Sequence, residues 1–207
     1  MRECLLQPIP EMELAAKLLD SAADALMMGD KALAARLLRE SDFKRITQYM
    51  IKLVGPLSEH IHKQTKLPEV LPKADRHETR MPPASIQRKI FSRDGWRCRF
   101  CGIRVISREG RKTFLDLFPN ECHWSAIEYD RHSALYAMAV SLDHLVPHSR
   151  GGTNVEDILV TTCFCCQFGR GQYTIEEVEL SDPRSRPPEV DDWDGLERLG
   201  GFTADAI

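Results

Sequence analysis

This 207-residue chain has little of three things. Aromatic residues make up only 7%, so a core must be built mainly from aliphatic side chains. No apolar run approaches the roughly 18 residues that a bilayer-crossing helix needs, which excludes such a span. An excess of one charge is also missing: the formal net charge is −3, which excludes a uniformly basic nucleic-acid coat. The opening Met1-Arg2-Glu3-Cys4 carries an acid where a secretory leader needs a basic stretch before an apolar one, so a cytoplasmic protein is expected. In that reducing setting, seven cysteines suggest metal ligands before disulfides. With 43% hydrophobic and 29% charged residues, the composition is that of a globular chain of one to two domains.

The near-neutral total hides an uneven distribution. From Arg80 to Lys112 there are ten basic residues and two acids, a balance of +8. From Glu176 to the end there are ten acids and three arginines, a balance of −7. The basic middle, with Arg97 and Arg99 at its centre, reads as a phosphate-facing surface. The acidic end could occupy that face.

Hydrophobic periodicity divides the chain further. Residues 1–65 read as a small helical domain. Leu14, Leu18, Leu19, Ala22, Ala25 and Leu26 line one helical face. Gly29 stops that helix and Asp30 caps the next, which carries Leu33, Leu37 and Leu38. Ser41 or Asp42 can cap a third helix with Ile46, Met50 and Leu53. Gly55-Pro56 breaks it, and a short helix over 57–63 is expected next. These helices are candidates for self-association or for holding a protein partner. Four prolines among charges make 66–83 a linker. Residues 84–180 hold most of the cysteine and histidine, and 181–207 read as an acidic, disordered tail in which Trp193 and Leu196 are the only docking candidates.

The strongest chemical signal is a pair of CxxC motifs, Cys98–Cys101 followed by Gly102, and Cys163–Cys166. Two intervening residues let both thiolates grip one ion from a tight turn, and two such pairs complete a tetrahedral structural Zn²⁺ site. Cys165 falls inside the second pair and reads as a free thiol, and Cys122-His123 are alternative ligands. Between the pairs, Val140 to Leu142 reads as a strand ending in Asp143-His144. Gly151-Gly152 makes a turn, Ile158 to Thr161 a return strand, and the second CxxC opens a helix through Gln167 and Arg170. An acid, an imidazole and an amide can thus converge. An imidazole can take a proton from water near neutral pH, and a carboxylate with an amide oxygen can hold Mg²⁺ or Mn²⁺. That chemistry suits phosphodiester hydrolysis. His148, Arg150 and Arg170 are candidate phosphate contacts. Trp96 reads as a lid on the zinc knuckle. Trp124, Tyr129 and Tyr136 read as core or as substrate contacts.

Three segments together resemble the HNH endonuclease family: Phe91 through Gly102, Asp143 through Gly152, and Cys163 through Gly171. The likeness covers about 86–173. It implies an α+β protein whose ββα-metal domain is built on a treble-clef zinc site. The stretch 103–139 is longer than in minimal members and reads as a helical insertion, with helices expected at 113–118 and 125–138. The likeness also implies a metal-dependent DNA endonuclease in which His144 is the general base, Asp143 a ligand of the catalytic ion, and the four cysteines structural. Products would carry 5′-phosphate and 3′-hydroxyl ends. Two positions depart from the pattern. Gln167 stands where the family has asparagine or histidine as a second ion ligand. Ile158 stands where the middle asparagine is expected, with Asn154 or Asp157 as possible substitutes. A zinc-stabilised nucleic-acid-binding module with weak or no catalysis is the alternative reading.

Overall fold

The computed structural model describes residues 1–54 and 68–202. The helix expected over 57–63 lies outside the described residues.

The fold is α+β, with seven α-helices among the described residues and one two-stranded antiparallel sheet. Helix α1 (Pro10–Met27) starts at a proline, whose missing N–H costs nothing in a first turn. It ends before Gly29, whose φ of 82° turns the chain back. The Asp30 carboxylate then accepts from Leu33 N at 2.9 Å and caps α2 (Lys31–Glu40). The buried face of α1 keeps Leu19, Ala22, Ala25 and Leu26 of the expected one and adds Met12, Ala15, Ala16 and Ala23, while Leu14 is exposed. Alanine decides this, because its small side chain lets α1 and α2 approach closely.

Helix α3 (Lys44–Leu53) buries Ile46, Tyr49, Met50 and Leu53. Its start has no side-chain cap, contrary to expectation. Ser41 instead donates to Leu38 O at 2.8 Å, and Asp42 accepts from Ser133 N at 2.8 Å across the molecule. The helical part does not form a core of its own. Its buried residues are continuous with those of the remainder, and α3 packs against the later helices. The apolar faces expected for a partner are therefore largely used within the chain. Leu14, Met27 and Met28 are the large apolar side chains left exposed on α1 to α3.

Helix α4 (Ala84–Arg93) leads into the first cysteine pair. Helix α5 (Arg108–Leu117) begins five residues before the expected 113, because Ser107 Oγ accepts from Gly110 N at 2.9 Å and caps it there. The second expected helix shrinks to α6 (Ser133–Ala137). Ser125 holds the preceding segment in a turn: its Oγ accepts from Ile127 N at 3.0 Å and its carbonyl from Arg131 Nε at 2.8 Å.

Strand β1 (Val140–His144) pairs with β2 (Leu159–Cys163), with Asp143 opposite Val160 and His144 opposite Leu159. Helix α7 (Phe164–Arg170) follows β2 directly.

The acidic end is packed, not disordered. Trp193, Leu196 and Leu199 are buried, and Trp193 Nε1 donates to Val105 O at 2.9 Å. Two glycines make room for it. A Cβ on Gly95 would stand 2.2 Å from Glu189 O, and one on Gly110 would stand 2.7 Å from Leu196 Cβ. Burial of Trp193 and two leucines outweighs the repulsion of neighbouring acids, which charge counting alone cannot reveal.

Candidate metal centre and cleft

The first cysteine pair sits in a knuckle formed by a short hairpin. Arg97 bridges Arg104, Cys98 N donates to Ile103 O at 2.9 Å, and Gly102 N donates to Cys98 O at 2.8 Å. Gly102 takes a φ of 78°, which lets the turn close between the two thiols. The second pair sits at the junction of β2 and α7, where Cys163 Sγ accepts from Cys166 N at 3.4 Å.

The four sulfurs of Cys98, Cys101, Cys163 and Cys166 lie within 4.8 Å of one another, with Cys101 and Cys163 3.8 Å apart. A tetrahedron with metal–sulfur bonds of about 2.3 Å sets its sulfurs about 3.8 Å apart, so this cluster fits Zn²⁺. Burial works to raise the Cys163 thiol, but hydrogen bonds from Cys101, Cys165 and Cys166 pull it well below its ordinary value. Cys165 is buried and outside the cluster. Cys122 is also outside it, and burial pushes that thiol up to about 12. No other group of three or more metal-ligating side chains occurs among the described residues.

Asp94 ties the knuckle to the sheet, a role that no local sequence signal announces. Its buried Oδ2 accepts from Thr161 N at 2.8 Å, and Arg93 holds the same carboxylate at 2.9 and 3.1 Å. Trp96 packs beside Phe91, ring centroids 5.3 Å apart, and beneath Gly195 of the terminal segment.

Asp143, His144, His148 and Gln167 all line one cleft of about 530 Å³. Its opposite wall is the segment expected to be a linker. Leu71 N donates to Ser149 O at 2.8 Å, His148 Nε2 meets His77 O at 2.9 Å, and Asn154 Nδ2 donates to Thr79 O at 2.7 Å. Residues 71–79 are thereby strapped across the β1–β2 connection.

His144 is buried at the end of β1, with Nε2 3.0 Å from Asn154 Oδ1. The Asn154 amide nitrogen is committed to Thr79 O, so its oxygen faces the ring. His144 must then carry its proton on Nε2, which leaves Nδ1 as the acceptor. Burial pushes the imidazole pKa down, and the Asn154 hydrogen bond partly opposes it. Of the two residues expected to substitute for Ile158, Asn154 is the one hydrogen-bonded to His144.

Asp143 is less open. Arg170 Nη2 lies 2.7 Å from its Oδ1 and Nε lies 3.2 Å from its Oδ2. Burial raises this carboxyl against the pull of Arg170. The same guanidinium donates to the carbonyls of His144 at 2.7 Å, Leu145 at 3.4 Å and Tyr173 at 2.5 Å. Arg170 is therefore a buried strut under the site and not a phosphate clamp at its surface. Gln167 Nε2 donates to Leu142 O at 3.2 Å, leaving the amide oxygen available.

The other expected nucleic-acid contacts lie elsewhere. Arg97 Nη2 binds Asp191 at 2.7 Å and Glu189 at 3.3 Å, and Arg104 binds the same Asp191 oxygen at 2.7 Å. Burial works to raise Asp191, but these two guanidinium groups win and hold its carboxyl at about 2. Arg99 donates to the carbonyls of Pro183, at 2.6 Å, and Arg186. Arg97 and Arg99 thus face the terminal segment and not a free phosphate-binding surface. Arg150 pairs with Glu177.

Tyr136 is buried, while Trp124 is partly exposed with Arg131 4.9 Å over its ring. No helix among the described residues is long and apolar enough to cross a membrane. Comparison with family models, with curated proteins and with solved structures finds no match.

Proposed function

We propose that this chain is an HNH-type endonuclease that hydrolyses phosphodiester bonds of DNA. The observation that carries the reading is the His144–Asn154 pair at the end of β1. His144 lines a cleft beside a hairpin and helix whose two cysteines cluster with the two of the knuckle.

In this reading His144 Nδ1 takes a proton from a water molecule as the water attacks phosphorus. Asn154 holds the ring in the tautomer that leaves Nδ1 basic. A bound divalent ion such as Mg²⁺ or Mn²⁺ would supply charge stabilisation at the leaving oxygen. The residues fit such an ion incompletely. The Gln167 amide oxygen is available to it, but both Asp143 oxygens already face Arg170. The cysteines, with Zn²⁺ bound, would keep β2 and α7 attached to the knuckle and so keep the cleft in shape.

The engagement of Asp143 by Arg170 favours a second reading, a zinc-stabilised module that binds nucleic acid with weak or no catalysis. A plasmid-nicking assay separates the two. Wild type and His144→Ala are compared with added Mg²⁺, with added Mn²⁺ and without either. Conversion of supercoiled DNA that requires the ion and is lost in the variant supports the nuclease. No conversion by a folded, zinc-loaded protein supports the binding module.

A further inference from the structure

The strap across the cleft sorts its charges. Residues 68–81 carry three cations and three acids, so the segment is neutral as a whole. All three cations (Lys73, Arg76 and Arg80) line the cleft, whereas of its acids only Glu78 does. No acid among the described residues pairs with these cations. Arg76 Nε donates to Leu71 O at 2.8 Å, which steadies the turn that presents them. Asp143, the other acid in the lining, is already balanced by Arg170. The strap therefore brings three cations and one acid to the cleft that His144 also lines, a net positive charge.

The facing wall has a different character. Phe168 of α7 lines the same cleft with 53% of its surface exposed, an unusual position for a large apolar ring. It is backed by Phe164 at a centroid distance of 4.4 Å, and Phe164 by buried Tyr136 at 4.2 Å. Phe168 is thus the outermost ring of a supported stack. Cations on one wall and an exposed aromatic face on the other are the two elements of a single-strand site, where phosphates follow the charge and an unpaired base stacks on the ring. A cleft of about 530 Å³ is the size of a small-ligand pocket, so it suits a single strand and not a duplex laid on an open face.

We infer that the cleft takes an unpaired stretch of nucleic acid, its phosphates held by Lys73, Arg76 and Arg80 and a base stacked on Phe168. This inference rests on the nuclease reading for the role of His144 but not for binding itself. Binding is therefore measured without turnover, by fluorescence anisotropy of labelled DNA oligonucleotides in buffer with no added Mg²⁺ or Mn²⁺, using the full zinc-loaded chain. The single strand is expected to bind at least about tenfold more tightly than the matched duplex.

Phe168→Ala should weaken single-strand binding by about tenfold or more and leave duplex binding unchanged. Lys73→Ala/Arg80→Ala, both at exposed positions, should weaken it and lower the slope of log affinity against log salt by about 0.7 for each phosphate no longer neutralised. Arg76 is left in place because it holds the turn. Duplex binding as tight as single-strand binding overturns the inference, as does unchanged affinity in either variant. Single-strand binding without nicking in the plasmid assay would retire the nuclease reading and leave the inference standing.

Discussion

His144 Nε2 lies 3.0 Å from Asn154 Oδ1, and the other end of that amide is bound to the carbonyl of Thr79. A residue ten positions downstream thereby sets the tautomer of the candidate base, and the strap sets the orientation of that residue. His144→Ala should lower nicking by about 10²- to 10⁴-fold, the usual contribution of a general base. Asn154→Ala should lower it less, because the base remains and only its orientation is lost. Burial holds the His144 pKa below its ordinary 6.5, so the neutral, basic form should persist somewhat below that pH. The acid limb of the rate profile is expected under pH 6.5 and should move lower still in Asn154→Ala, which removes a hydrogen bond that favours the charged ring.

Breaking the Asp143–Arg170 pair from one side leaves a charge buried without its partner. Arg170→Met should destabilise the fold by about 3–5 kcal/mol, measured by urea unfolding. The double variant Asp143→Leu/Arg170→Met should cost less than the sum of the single changes, because no unpaired charge remains. A strictly additive cycle would show that the two groups do not interact as their 2.7 Å separation requires.

One Zn²⁺ per chain is expected by elemental analysis. Cys98→Ser and Cys166→Ser should each lose the metal and lower the melting temperature, since metal binding is coupled to folding of the knuckle. Cys165→Ala should retain one Zn²⁺, because Cys165 stands outside the four-sulfur cluster. Loss of zinc in that variant would mean that a different set of thiols holds the ion.

Truncation after Leu180 should not simply uncover a basic face. It removes Trp193, which is buried and donates to Val105 O. Trp193→Ala alone should cost about 3–5 kcal/mol in urea unfolding, as large-to-small core changes do. A change below about 1 kcal/mol, small for a buried tryptophan, would show that the terminal segment is detached in solution.

Acid should weaken the fold before its carboxylates protonate. His132 is buried, with Nε2 3.0 Å from Leu38 O and Nδ1 accepting from Leu135 N at 3.4 Å. Burial lowers its pKa, although Leu38 O and Asp42 favour the charged form. The unfolded state takes up a proton below about pH 6.5 that the folded state refuses. Stability from this group is therefore complete above that pH and falls by up to about 1.4 kcal/mol per unit as pH drops below it. The slope measured between about pH 6.5 and 5 should shrink in His132→Gln.

Local signals in the sequence carried a large part of this molecule. Two CxxC spacings located the metal cluster, because two residues between thiols is a constraint of turn geometry that needs no distant partner. Alternation and turn residues located β1, β2 and α7, and Gly29-Asp30 located the break between α1 and α2. His144 and its neighbourhood were legible because Asp143-His144 and Gly151-Gly152 lie within one hairpin. What failed were judgements on which distant charged or proline-rich surface covers which.

The prolines of 66–83 signalled a linker, yet hydrogen bonds to Ser149, His148 and Asn154 make part of it a wall of the cleft. The acids after Ser181 signalled disorder, yet Trp193 and Leu199 find apolar partners and Asp191 finds Arg97 and Arg104. Arg170 read as a free cation and is the buried partner of Asp143. Sequence determined what each segment tends to do with its neighbours in the chain. Only the tertiary structure decided which charges are neutralised and which remain open, because pairing depends on separation in space and on exclusion of water, and neither is written in residue order.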